Sequence, residues 1–317
     1  MIAQRGLWPV PPALAAAVAG SALLAGCGAG PPAGARTEPD ATARRASAPR
    51  APGLCAAPLR VRVTGRVRAP AAAELSGLAR SPSRPGVLWT HNDSGDAARL
   101  LAVTAAGRTV AEVSVSGAEN VDWEDIATGP GGSLLVGDIG DNLAARPHVV
   151  VYRVPERRAS GVAVAARHVL RYPDGARDAE ALLFDDASAT IVIVAKSFGG
   201  DARIYVTRLP SPRQVATLRH AGTLALGAGA AVTAGDVSAD GGTIALRTYD
   251  RALIWRRRAG EAVAAALRRR PCVAQADLLR EGQGEALALS RDGHALLTGG
   301  EGRRPALRRY DQRANAP

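Results

Sequence analysis

One pattern of polar and apolar positions recurs along this chain, roughly every 50 residues. Each copy has a polar residue, two or three apolar residues, a turn and a second apolar run. The five copies begin at Ser76, Glu124, Glu180, Thr233 and Glu285. Each interval is long enough for one four-stranded propeller blade. The pattern therefore predicts an all-β fold, a β-propeller of five four-stranded blades, with six blades as the alternative.

The ends of the repeat region predict how the ring closes. The fifth repeat lacks an outer strand, and the run from Leu59 to Val67 alternates apolar and polar residues ahead of the first repeat. A strand donated by this run would complete the last blade and cover its exposed edge. Segments 155–180 and 208–232 could each hide a degenerate sixth blade.

The N-terminal segment has the order of features found in an export signal. Arg5 precedes an apolar run from Ala13 to Leu24 that is too short to span a bilayer comfortably. Leu24-Ala-Gly-Cys27 follows it and resembles the lipobox of bacterial lipoproteins, which implies that Cys27 is acylated. We predict a signal peptide at 1–26 and a lipidated Cys27 with a flexible Pro- and Ala-rich tether at 27–57. The single propeller domain would occupy 58–317, held on the outer face of the cell membrane.

Cysteine usage fits this compartment. With Cys27 lipidated, Cys55 and Cys272 remain, and an even pair in an oxidising compartment predicts a disulfide beside the ring closure. Two unpaired buried thiols are the alternative.

Charge adds little evidence about partners. The formal net charge is +11, but every cation except Lys196 is Arg, and the arginines are scattered. This composition is typical of GC-rich coding, and together with the export signal it argues against nucleic-acid binding. We expect a monomer.

The repeats also predict where polar side chains converge. In a propeller, the innermost strands begin at the face where the second strands end, so both kinds of segment should surround one mouth of the central channel. These segments supply the predicted ligand-binding residues: Asn92, Asp93, Asp138, Asp141, Lys196, Arg247 and Glu301.

Three of the repeat-starting residues are glutamates, and they are candidate metal ligands. Glu124, Glu180 and Glu285 would repel one another near the axis unless a cation, a proton or a basic residue relieved them. Calcium is a possible cofactor, although none is certain, because calcium takes six to eight oxygen ligands. The arrangement resembles the axial calcium site of propeller hydrolases such as lactonases and phytases. Hydrogen bonds to strand-end amides or to Arg247 are the structural alternative.

Three motifs resemble exported β-propeller lipoproteins of GC-rich Gram-positive bacteria, which look like WD40 and lactonase propellers. These motifs are Asn92-Asp-Ser-Gly95, Asp122-Trp-Glu-Asp-Ile-Ala127 and Gly137-Asp-Ile-Gly-Asp-Asn142. The resemblance implies fold and export but no activity. We expect a surface-anchored protein that binds an extracellular ligand, glycan or protein through the mouth. The alternatives are a calcium- or other divalent-metal-dependent hydrolase and a two-carboxylate glycosidase, and no catalytic residue is assigned.

Overall fold

A computed structural model describes residues 53–69 and 72–312 of the chain. Its strands are, in chain order, β1 (Leu59–Arg66), β2 (Leu75–Arg80), β3 (Val87–Asn92), β4 (Arg99–Thr104), β5 (Thr109–Ser116), β6 (Trp123–Thr128), β7 (Ser133–Asp138), β8 (Val149–Pro155), β9 (Gly161–Val164), β10 (Ala166–Arg171), β11 (Ala179–Asp185), β12 (Thr190–Ala195), β13 (Asp201–Arg208), β14 (Val215–Thr217), β15 (Arg219–Ala225), β16 (Val232–Val237), β17 (Thr243–Thr248), β18 (Ala252–Arg256), β19 (Cys272–Val273), β20 (Ala286–Leu289), β21 (Ala295–Gly299) and β22 (Ala306–Gln312).

Helices are short throughout the described part of the chain. The α-helices are α1 (Gly53–Ala56) and α2 (Val263–Leu267), and 3-10 turns lie at Pro130–Gly132, Asp186–Ser188 and Leu279–Glu281. Within these described ranges, no helix has the length and apolarity needed to cross a bilayer.

Five sheets arranged in a ring make the chain a five-bladed β-propeller, as the repeats predicted. In spatial order they are blade 1 (β2-β3-β4-β5-β9), blade 2 (β6-β7-β8-β10-β14), blade 3 (β11-β12-β13-β15), blade 4 (β16-β17-β18-β19) and blade 5 (β20-β21-β22-β1). The innermost strands β2, β6, β11, β16 and β20 contact one another in that order, and β20 returns to β2.

Burial explains why the strand sequences differ with their position in a blade. The innermost strand β11 (AEALLFD) is buried at all seven positions, because neighbouring blades cover both of its faces. The more peripheral strand β5 (TVAEVSVS) alternates buried and exposed residues, as expected for a strand with one solvated face. Trp89 and Trp123 share one buried apolar cluster between blades 1 and 2. Tryptophan therefore packs between blades in a chain that is otherwise poor in aromatic residues.

The predicted ring closure is confirmed. Strand β1 pairs antiparallel with β22, from Leu59 opposite Gln312 to Arg66 opposite Ala306, and completes blade 5. A disulfide joins Cys55, just before β1, to Cys272 in blade 4, with 6.2 Å between the Cα atoms. The first and last strands of the described chain and the neighbouring blade are thus joined at the same seam.

The segments that could have held a sixth blade serve a different purpose. Part of 155–180 forms β9, which pairs in parallel with β5 of blade 1. Part of 208–232 forms β14, which pairs in parallel with β10 of blade 2. Each of these connections returns to the preceding blade and adds a fifth strand to it.

The predicted signal peptide at 1–26 and Cys27 lie outside the described residues. The folded part begins earlier than the tether boundary predicted at residue 57. Leu54 in α1 is fully buried, and it belongs to the apolar cluster that contains Leu278 and Tyr310.

Candidate functional site

We define the mouth as the end of the channel where the first strands of the blades begin and the second strands end. Register shows this meeting in four blades: Leu75 pairs with Asn92, Trp123 with Asp138, Val232 with Thr248 and Ala286 with Gly299. In blade 3, Ala179 pairs with Ala195. In every blade, the start of the first strand therefore lies beside the end of the second strand.

A bulge at the start of the first strand aims the repeat-starting side chain in three blades. Pairing skips Glu124 between Trp123 and Asp125, and it skips Glu180 between Ala179 and Ala181. Thr233 occupies the equivalent position in blade 4. A bulged residue leaves the regular ladder, so its side chain is re-aimed relative to its neighbours.

The two uncharged repeat residues connect neighbouring blades. The Ser76 hydroxyl donates a 2.6 Å hydrogen bond to the backbone carbonyl of Glu124, and the Thr233 hydroxyl donates a 3.0 Å bond to that of Gly284. These residues have a structural role at the position where the other three blades place glutamate.

Five carboxylates of the mouth form two triads with one common member. The first triad is Asp93, Asp122 and Glu124, and the second is Asp93, Glu285 and Glu301. In each triad, one candidate ligand oxygen per residue lies within 4.8 Å of the others. Carboxylate oxygens at this separation suit a hard divalent cation.

Crowding raises the pKa of several of these carboxyls. Burial, followed by the charges of Glu180 and Asp93, raises the pKa of Glu124 far above its ordinary value. Burial and the charge of Asp93 raise the pKa of Asp122 to about 6. Burial and a hydrogen bond with Glu285 raise the pKa of Glu301 to about 7. The mouth therefore holds protons readily, and a cation could displace them.

Gly140 allows the first triad to form. A Cβ atom at this position would lie 2.2 Å from Glu124 Oε1 and 2.5 Å from the Asp122 carboxyl carbon. Only glycine leaves room for both carboxylates beside this backbone.

The three glutamates predicted as one ligand set do not form a single triad. Glu124 and Glu285 belong to different triads, and Glu180 accepts a hydrogen bond from the Lys196 ammonium on its Oε1 atom. Lys196 lies at the end of the second strand of the same blade, so Glu180 has a local counter-charge that the other two glutamates lack. The second oxygen of Glu180 is buried and has no hydrogen-bond partner among the described residues.

Arg247 does not line the mouth. Its side chain is 0% exposed, and Nη1 contacts Glu281 Oε2 at 3.2 Å. Glu281 also accepts hydrogen bonds from the hydroxyls of Thr298 (2.7 Å) and Tyr310 (2.6 Å). Arg247 therefore belongs to a buried network between blades 4 and 5 and does not bridge the three glutamates.

Three other predicted ligand residues are engaged in local structure. The Asn92 amide donates to Asp96 at 2.8 Å, and Asp138 accepts from Arg146 at 2.7 Å. Asp141 accepts from the backbone amides of Ala145 and Arg146 in its own loop. These side chains shape the mouth loops, whereas Asp93 and Glu301 of the predicted set belong to the carboxylate triads.

One buried carboxyl links three of the innermost strands. Asp125 is fully buried and accepts hydrogen bonds from the amides of Ile126, Leu182 and Gly235, on the innermost strands of blades 2, 3 and 4. One side chain thus joins three blades across the axis.

Sequence reasoning did not select three residues at the mouth, although all three lie in or beside segments that it singled out. Asp122 directly precedes Trp123-Glu124. Tyr249 donates a 3.1 Å hydrogen bond to Glu285. Phe198 is 62% exposed, and the Lys196 ammonium lies 5.7 Å from its ring centroid. Phe198 is one of only two phenylalanines in the chain. Only the structure shows that its ring is exposed, and this exposure is what makes it a candidate contact residue.

A cavity of about 590 Å³ lies at the other end of the blades, lined by turn residues that include Gly241 and by Arg80 and Arg257. Both guanidinium groups have carboxylate partners, because Arg80 is 3.8 Å from Asp236 and Arg257 is 2.9 Å from Asp185. This compensation makes the cavity a weaker candidate site than the mouth.

Comparisons with known proteins leave function to be argued from the mouth itself. No protein-family model matches the chain, and no curated protein matches it. Among solved structures, hydrazine synthase of Kuenenia stuttgartiensis is similar, with a TM-score of 0.39 and 13% identity. The alignment covers 71% of this chain and 61% of that one. Similarity at this level carries no information about activity.

Proposed function

We propose that this protein is an exported, membrane-anchored propeller that binds an oxygen-rich ligand through a divalent cation at the mouth. One observation carries the cation part of the proposal. Glu124 is 4% exposed, and one of its carboxylate oxygens lies within 4.8 Å of candidate ligand oxygens of Asp93 and Asp122. A buried carboxylate in such company needs a cation or a proton.

The distribution of charge favours a cation. The chain as a whole carries a formal net charge of +11, yet five carboxylates gather in the mouth. Lys196, the ammonium nearest to them, is already paired with Glu180. Calcium could compensate the remaining negative charge of the mouth, because it binds carboxylates in variable geometry and completes its coordination shell with water or ligand oxygens.

The ligand class follows from the charge and the coordination positions that would remain on the cation once the carboxylates have bound it. The carboxylates would use most of its charge, so a neutral ligand suits the mouth better than an anion. Phe198 presents an exposed ring beside the Lys196 ammonium, which also lies 6.0 Å from the Tyr249 ring centroid. Rings of this kind offer an apolar face to a sugar, while a bound calcium ion offers coordination to its hydroxyls. A glycan is therefore the proposed ligand.

A glycan array, probed with the fluorescently labelled protein in calcium and again in chelator, tests this proposal. Binding is expected only in calcium. It should be lost in Asp93→Asn and weakened about tenfold in Phe198→Ala, which corresponds to about 1.4 kcal/mol of lost contact. Leu143→Ala is the matched control, because Leu143 is an 87% exposed apolar residue on another mouth loop.

Binding that survives chelator would contradict the proposal, as would equal losses in the Phe198 and Leu143 variants. Time-dependent breakdown of a bound glycan would instead identify the hydrolase that the sequence left as an alternative.

A further inference from the structure

The carboxylate triads share a residue because of where it lies in the ring. Asp93 follows β3 in blade 1, and blade 1 lies between blades 2 and 5. Asp122 and Glu124 come from the start of blade 2, whereas Glu285 and Glu301 come from the ends of the inner strands of blade 5. The Asp93 loop therefore faces carboxylates from both of its neighbours.

We infer that the mouth binds two divalent cations, with the Asp93 carboxylate as a ligand common to both. One cation would be held by Asp93, Asp122 and Glu124, and the other by Asp93, Glu285 and Glu301. This inference rests on the proposed function, to which it adds the number of ions and the residues that hold each one.

An acidic cluster alone would not justify this, but a buried and unpartnered oxygen lies beside it. Glu180 belongs to neither triad, is 3% exposed, and keeps one buried oxygen that has no partner in the described part of the chain. Its charge acts on Glu124 and the charge of Glu285 acts on it, so it lies close to a member of each triad. Native proteins rarely leave buried polar atoms unsatisfied, so this oxygen indicates a missing positive partner.

Charge balance distinguishes two ions from one. Five carboxylates make up the triads, and Lys196 already compensates Glu180. Once cations have displaced the protons of these five groups, two divalent ions would bring four positive charges to them, whereas a single ion would leave three negative charges uncompensated. A carboxylate between two cations is attracted to both of them, so it allows two like-charged ions to bind close together, as in two-metal centres.

The second position has a more open setting than the first. Glu301 is only partly buried, and Glu285 keeps a hydrogen bond from the Tyr249 hydroxyl. The ion there would retain more coordination positions for water or for a ligand oxygen. At the first position, the Gly140 backbone packs closely against the carboxylates of both Asp122 and Glu124.

Counting bound calcium tests the inference. The chain, purified from an exporting host and stripped with chelator, is dialysed to equilibrium against calcium chloride, and bound calcium is measured by elemental analysis and by titration calorimetry. The expected result for the unmodified chain is two ions. Asp122→Asn and Glu301→Gln should each remove one ion, from different sites, and their combination should remove both. Asp93→Asn should abolish or severely weaken both sites.

Glu74→Gln is the matched control, because Glu74 is an exposed mouth carboxylate outside both triads, and it should keep two ions. One ion in the unmodified chain, or loss of the same single site in both Asp122→Asn and Glu301→Gln, would overturn the inference while leaving the proposed function intact. No bound calcium at all would overturn both. The count in the unmodified chain decides the matter even if a variant fails to fold.

Discussion

Lys196 and Glu180 form an ion pair at the mouth, between the end of the second strand of blade 3 and the bulge on its first strand. Both side chains are largely buried, at 11% and 4% exposure. Breaking a buried pair by removing one partner leaves an uncompensated charge. Lys196→Met should therefore lower the free energy of unfolding by about 3 kcal/mol, measured by urea denaturation.

The double variant Lys196→Met/Glu180→Gln separates charge from packing. It should regain most of the lost stability, because neither charge remains buried alone. A loss of under about 0.5 kcal/mol in the single variant would show that the pair contributes no more than a surface salt bridge.

Arg247 provides a second stability test, and its outcome should not depend on calcium. Its guanidinium lies between blades 4 and 5 and binds Glu281, and its side chain is 0% exposed. Arg247→Met should destabilise the chain by about 3–5 kcal/mol, because Glu281 would be left as a buried charge.

Calcium-binding stoichiometry of the Arg247→Met variant, measured under conditions where it is folded, should equal that of the unmodified chain. Normal stability together with reduced calcium binding in this variant would show that Arg247 acts at the mouth, and it would contradict a role in the buried network.

Sequence could predict the blades and their closure because both depend on local and repeated features. The repeat favoured five blades, and the alternating run from Leu59 to Val67 identified the closing strand. The arrangement of the glutamate side chains could not be predicted from the sequence in the same way, because the bulges at Glu124 and Glu180 depend on strand register. Arg247 was misplaced because β17 continues to Thr248, which keeps Arg247 within the sheet. Its partner Glu281 lies in a 3-10 turn that no repeat signal marks.

The Cys55–Cys272 disulfide should contribute strongly to stability. It links residues separated by 217 positions, and chain-entropy models assign about 5 kcal/mol to the closure of a loop that long. The double variant Cys55→Ser/Cys272→Ser should show this loss in urea denaturation. Dithiothreitol should then destabilise the unmodified chain but leave the double variant unchanged, and equal sensitivity of both proteins would contradict the assignment.

Anchoring through Cys27 is a prediction from sequence alone. Cys27→Ala should prevent acylation and release the exported protein from the membrane fraction into the medium, as seen by immunoblotting of both fractions. Cys55→Ser is the control, because it removes a cysteine without touching the signal, and its protein should stay in the membrane fraction. Retention of the Cys27 variant there would rule out a lipid anchor at this residue.

The raised pKa values at the mouth predict how stability depends on pH. Burial raises the pKa of Glu124 well above its ordinary value and that of Glu301 to about 7, whereas unfolded glutamate titrates near 4. Their contribution to stability is fully present below pH 4 and is lost as the pH rises through the folded values, because the folded state holds the extra protons.

His91 works in the opposite direction at lower pH. Burial lowers the pKa of His91 to about 4, so its contribution is lost as the pH falls below the unfolded value of about 6.5. The window from pH 6.5 to 8 therefore separates the carboxyls with raised pKa values from His91. In chelator, the melting temperature should fall across this window.

Saturating calcium should flatten that fall, because a bound cation compensates the deprotonated carboxylates and stabilises the native state by mass action. Calcium should therefore raise the melting temperature more at pH 8 than at pH 6.5. Asp93→Asn, which removes the ligand common to both triads, should lose this calcium effect. Melting temperatures that rise equally with calcium at both pH values would show that calcium acts away from these carboxyls. A melting temperature that rises with pH in chelator would show that the mouth carboxyls do not have raised pKa values.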